Sequence, residues 1–328
     1  VRGGGGGGVG GDTEKEQLVD LTLRAEEKSP TYLARSKKER VYTVTEVDGA
    51  GGCGAYTPEF ELLNTVTEEG APLCYVAVDE PRQLVYGANY HKGEVNVYKI
   101  LADGSIEATD HIYHDEPVGP HENQDNPHVH YTDLTPDQRL AVCDLGTDRV
   151  YTYDVSAEGK LTEAAVYVAA AGTGPRHLVF HPNHQYAYLV GELDSSLTVL
   201  RYNEADGSFE EIQKVPTLPE DFTDFNSGAA VRVSKDGRFV YSSNRGHNSL
   251  VVFEVTEDGA GLNFIQRLST EGDFPRDFDL DPTNKFLVCA NQNSDNLTLY
   301  RRNAETGELT TIQKDVYAPE CVCVLFEK

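Results

Sequence analysis

Along most of the chain, apolar and polar residues alternate in short runs separated by Asp-Pro, Asp-Gly or similar turn signals, the pattern of half-buried antiparallel strands. The runs recur as a unit: an apolar strand, a tight turn, a second strand closing on a polar residue, a polar turn, and a third strand. Clear copies begin at Tyr75 (YVAVDEPRQLVYGANYHKGEVNVYKI), Val129, His177, Val231 and Asp277, and a degenerate one begins at Tyr32. The polar residue closing the second strand is read as Glu46, Asn89, Asp144, Glu192, Asn244 and Asn291, spaced 43 to 55 residues apart. Propeller blades repeat at roughly 40 to 50 residues. A fourth strand-like run follows in most copies, as in SIEATDHIYH and LTEAAVYVAA, and four strands make a blade.

Six copies leave the N-terminal segment and the C-terminal ECVCVLF unassigned, and joined they would supply a seventh blade. The sequence therefore predicts an all-β, seven-bladed propeller with four antiparallel strands per blade. It would form one domain over residues 1–328, with the ring closed by N- and C-terminal strands and ECVCVLF innermost. A solenoid would need capped ends, and a doubly wound fold needs amphipathic helices that are not found. The six glycines at positions 3–8 are not expected to specify a packed strand.

Composition narrows the function. With 328 residues and 39% apolar content the chain can bury a core. No apolar run approaches the ~20 residues of a membrane-spanning helix, and no leader-like stretch is visible, so a soluble, cytoplasmic protein without a membrane partner is expected. The six cysteines, Cys53, Cys74, Cys143, Cys289, Cys321 and Cys323, sit mostly in apolar runs and suit reduced, buried thiols. A net charge of −26 opposes nucleic-acid binding, and it makes any cluster of arginines conspicuous.

Such a cluster emerges from the repeat. The start of each first strand and the end of each second strand lie on the same face of a propeller, around the channel mouth. Those positions bring together His128 and His130 (NPHVHYTD), Arg176 and His177 (GPRHLVF) and Arg276 (FPRDFDL) with Asn89, Tyr90, His91, Asp144, Glu192, Asn244, Arg245, Asn291 and Gln292. Forked guanidiniums suit a carboxylate or phosphate, and Glu192 offers a proton carrier. Asn and Asp at strand ends also stabilise turns. Two histidines and Glu192 could ligate a metal, but the arginines would repel a cation, so no metal or cofactor is expected.

The motifs NPHVHYTDLTPD, GPRHLVFHPNHQYAYLVGELDSS, VSKDGRFVYSSNRGHNSL and FPRDFDLDPTNKFL resemble those of the bacterial 6-phosphogluconolactonase family of seven-bladed propellers, which also contains fungal carboxymuconate cyclases. The resemblance spans about Pro30 to Phe326 and implies a hydrolase that opens a sugar-acid lactone, most simply 6-phospho-D-glucono-1,5-lactone. It implies a catalytic set of His130, Arg176, Glu192 and Arg245. His128, His177, Asn89, Asn244, Arg276 and Asn291 are the expected substrate-binding residues, and a small anionic lactone is the expected partner. A muconate-type cyclase and a non-catalytic binding propeller remain alternatives. An interaction platform would favour an apolar or aromatic face over this ionic mouth.

Overall fold

Where the sequence alternates, the chain pleats. The computed structural model describes residues 6–12, 15–25 and 31–326, and the one helical element among them is the short turn Glu257–Gly259. Six consecutive four-stranded antiparallel meanders span 33–69, 75–113, 129–168, 175–216, 227–269 and 275–317, hereafter blades 1 to 6. First strands of neighbouring blades pack together around the axis, whereas fourth strands meet at the rim. Burial follows this radial order. Every residue of the second strand Leu140–Asp144 is buried, while the fourth strand Leu161–Val168 has only half-buried and exposed positions. No helix among the described residues is long and apolar enough to cross a membrane.

Polar contacts rivet the blades. On second strands, the buried hydroxyls of Tyr42, Tyr188 and Tyr241 donate to the carbonyls of Gly104, Gly259 and Gly307 in the next blade, at 3.0, 2.8 and 2.7 Å. These glycines turn the hairpin between third and fourth strands with φ of 95°, 113° and 73°, a conformation that side chains disfavour. Each rivet gives a large buried ring a partner for its polar end.

The ring has seven blades, and both chain ends build the last one. Gly6–Asp12 and Gln17–Ala25 form a two-stranded hairpin beside the Leu309–Tyr317 strand of blade 6. The Leu18 amide donates to Gln313 Oε1 at 2.6 Å, the Gln313 amide returns a bond to the Leu18 carbonyl at 3.2 Å, and Glu16 pairs with Arg301. Residues 321–326 occupy the inner position without joining a ladder, a departure from the expected innermost strand. They are held by side chains instead: the Val324 amide donates to the Asp277 carboxylate at 2.8 Å, and Cys321, Val324 and Phe326 pack with Val9, Leu18 and blade 6. The glycine run also departs from expectation, because Gly6–Asp12 is a strand. Ladder bonds need only backbone, and Val9 and Leu18 supply the apolar contacts.

Truncation after Glu320 should therefore cost at least about 3 kcal/mol, since fully burying one apolar side chain is worth about 1.5–3 kcal/mol and several are lost. Urea unfolding followed by circular dichroism checks this, with a lower midpoint expected for the truncated chain.

Candidate active site

The mouth residues stand out because four first strands are irregular at the same place. In blade 3, Val129 pairs with Asp144 and Tyr131 with Cys143, leaving His130 outside the register. Blade 4 skips Arg176 between Pro175 and His177, and blade 6 skips Arg276 between Pro275 and Asp277. Blade 5 bulges between Gly228 and Val231. A bulge frees one residue from the ladder and re-aims its side chain, here at the inner strand beside the channel. The prolines before Arg176 and Arg276 open their strands, where a missing N–H does least harm.

The second strands set a matching register, and it corrects the one read from sequence. Asn89, Asp144, Asn244 and Asn291 each face the third strand across a four-residue loop, and in blade 4 Gly191 holds that place. Glu192 lies one residue further on, in step with Tyr90 and Arg245. A one-residue step changes the direction of a side chain.

The two registers accordingly do different work. Asn89 donates to the Ala71 carbonyl at 2.9 Å and accepts from the Lys92 amide at 3.1 Å. Asn244 bonds Thr217, Asn226 and Ser249, and Asn291 donates to the Thr270 carbonyl at 2.9 Å. These three asparagines are buried and fasten turns, although Asn291 Oδ1 has no partner among the described residues. Asp144 is likewise engaged by His114 and by the amides of His128 and Thr147.

The following register builds the site. Glu192 Oε1 accepts from Arg176 Nε at 2.9 Å and from Arg245 Nη2 at 2.8 Å, joining blades 4 and 5. Arg176 also donates to the Ala229 carbonyl (2.8 Å). Arg245 donates to the Ser227 hydroxyl (2.8 Å) and the Gly228 carbonyl (3.0 Å) and lies 5.2 Å from the Phe274 ring centroid. Gly228 permits this closeness: a Cβ there would sit 2.7 Å from the Gly191 carbonyl oxygen. Burial pushes the Glu192 carboxyl up, but the Arg245 and Arg176 guanidiniums together hold it below the usual carboxylate range. It is thus an ionised brace for two arginines, an arrangement that suits a positioning role better than that of a proton carrier.

His130 and His177 are buried with ring centroids 5.0 Å apart. Burial, then the charge of Arg176, holds both imidazoles well below their ordinary pKa and keeps them neutral. His130 Nδ1, His177 Nε2 and the Thr31 hydroxyl have no hydrogen-bond partner among the described residues. All three residues line one small cavity with Tyr32, Cys74, Arg176, Arg276, Asp277 and Val322. Arg276 has no hydrogen bond or ion pair among the described residues, whereas Asp277 is neutralised by Arg232 at 3.1 Å. Unpaired acceptors and a free guanidinium around a cavity are the features of a polar, anion-seeking site.

His128 does not join them. Its ring stacks on Tyr90 at 4.1 Å, and its nitrogens are taken by the Tyr90 carbonyl (2.6 Å) and Asp125 (2.8 Å). The alternative metal set of His128, His130 and Glu192 is therefore not assembled, and His128 is a support for Tyr90. Burial and Glu192 push the Tyr90 hydroxyl up to about 12, so it is a standing donor at the mouth. Tyr90 was visible at a strand end, but nothing in its type marked a role. Thr31 was missed because only ring closure brings the chain ends to the cavity, and Asp277 and Arg232 because an ion pair between neighbouring blades leaves no mark in the repeat.

Residues 8–326 match the family model described as "Lactonase, 7-bladed beta-propeller". The chain belongs to this family. The chain is 44% identical over 322 residues to a 6-phosphogluconolactonase of Bacillus subtilis, covering 96% of this chain and 92% of that one. A crystal structure of a Lactobacillus plantarum protein matches at 53% identity and a TM-score of 0.93, covering 95% and 92% of the two chains. The periplasmic gluconolactonase of Pseudomonas aeruginosa matches at 28% identity and a TM-score of 0.86, covering 95% and 92%.

Two outcomes follow for stability. Glu192→Gln should cost about 3–5 kcal/mol, the typical penalty for stranding buried charge, with one guanidinium variant in the background reducing the loss. For His130 and His177 the unfolded chain binds protons first, because the folded values are depressed. Their contribution is fully present above the ordinary imidazole pKa of ~6.5 and is lost as pH falls below it. Urea titrations from pH 8 to 5 should show this loss, and His177→Asn should flatten it.

Proposed function

We propose that this lactonase opens the ring of an anionic sugar-acid lactone, 6-phospho-D-glucono-1,5-lactone, to give 6-phosphogluconate, in the cytoplasm. The observation that carries the reading is Arg276, a guanidinium without a hydrogen bond or ion pair among the described residues, sharing a cavity with the neutral imidazole of His130. The 6-phosphogluconolactonase of Bacillus subtilis, as a relative, supports the substrate, and six cysteines that form no disulfide suit a reducing compartment.

Ring opening needs a base for the attacking water, charge to stabilise the tetrahedral oxyanion, and a proton for the departing ring oxygen. His130 accepts the water proton as the water oxygen bonds to the lactone carbonyl carbon. Arg176 and Arg276, which line the cavity beside it, stabilise the oxyanion. As the bond from that carbon to the ring oxygen breaks, the His130 imidazolium returns its proton to the leaving oxygen, so one water is added and the imidazole is regenerated. Glu192 stays ionised and positions Arg176 and Arg245. Arg245 and the Tyr90 hydroxyl receive the outer, charged end of the substrate. No step in this route uses a metal.

Removing the imidazole should show it directly: His130→Ala is expected to lower kcat by about 100 to 10,000-fold while leaving the fold intact, read by a coupled assay corrected for spontaneous lactone opening. Near-normal turnover in folded His130→Ala would eliminate it as the base. Because its pKa is depressed, the acid limb of kcat/KM should fall below pH ~6.5. Arg245→Lys should raise KM more for the phosphorylated lactone than for plain gluconolactone, since the fork is lost and the charge kept.

A further inference from the structure

At the rim, three ionisable side chains from two blades converge outside the catalytic cavity. Glu68 lies near the end of the Leu62–Glu69 strand of blade 1, Glu94 opens the Glu94–Ile100 strand of blade 2, and His111 lies on its Ile106–Tyr113 strand opposite Asn96. One donor atom from each of Glu68, Glu94 and His111 falls within 4.8 Å of the others, and His111 Nδ1 is 3.2 Å from Glu94 Oε2. The Glu94 side chain has no exposed surface, yet its Oε1 has no hydrogen-bond partner among the described residues. Asn96, 6% exposed and opposite His111 in the strand pair, holds a second orphaned oxygen, Oδ1.

Lone pairs buried without donors are costly, and two next to a second carboxylate are more so. Lys92 relieves only part of this, with Nζ 3.2 Å from Glu68 Oε1.

We infer that Glu68, Glu94 and His111, with the Asn96 amide oxygen, form a site for a divalent transition metal of the Zn2+ class. An imidazole among carboxylates favours such an ion over Ca2+, whose sites are built of oxygen. The ion would tie blade 1 to blade 2 at the rim and take no part in lactone opening. Glu68 and His111 reach the surface, which gives the ion an entry path and leaves room for a water ligand.

The test is calorimetric titration of EDTA-stripped, desalted full-length protein with ZnCl2, with CaCl2 in parallel, and thermal unfolding with and without Zn2+. One Zn2+ per chain and a raised unfolding midpoint are expected. In His111→Ala and Glu68→Gln, affinity should drop at least about tenfold and the midpoint shift should vanish, with lactone opening unchanged. Equal Zn2+ affinity in wild type and His111→Ala, as capture by thiols would give, overturns the inference. Absence of binding, or tighter binding of Ca2+ than Zn2+, overturns it equally.

Discussion

The buried contact of one carboxylate with two guanidiniums organises the mouth of this propeller. Taking three charges out of water is costly, and the arrangement is tolerable only because nearly every donor involved finds an acceptor. Arg176 and Arg245 spend their remaining reach on backbone carbonyls and a serine hydroxyl of blade 5. That demand explains Gly228, where a side chain would separate blades 4 and 5. It also reinforces the neutrality that burial imposes on the two histidines, because guanidiniums fixed nearby oppose any further positive charge. The same ionic frame thus sets both the geometry and the protonation state of the groups beside it.

Blade number and the placement of the main candidate residues at the mouth were legible in the chain because period-two alternation and turn residues repeat the same local physics six times. His130, Arg176, Arg245 and Arg276 follow from their places in the repeat, as does the resemblance to lactonases. What the repeat hid was register. A polar residue near a strand end looks the same whether it fastens the turn or faces the channel, and Asn244 and Arg245 differ by one step. Bulges are equally silent in an alternating pattern, since an extra residue leaves the strand's composition unchanged.

Ring closure was legible as a count but not as a mechanism. The closing segments use few ladder bonds between them, relying on an amide to a carboxylate, a side-chain amide exchanged with backbone, and apolar contact. Thr31 and Val322 then reach the cavity from opposite ends of the sequence. Closing the ring and completing the cavity wall are one event, so a chain that has not closed its ring has no finished site.

The bulges carry a consequence for how such a molecule changes over time. A residue that donates nothing to a ladder can be exchanged with little strain on the sheet, and the blades already sample this freedom: histidine in blade 3, arginine in blades 4 and 6, and alanines in the bulge of blade 5. Each blade behaves as a socket that presents one interchangeable side chain to a common centre. New chemistry at the mouth can therefore arise by resetting single sockets, without renegotiating the architecture that holds them.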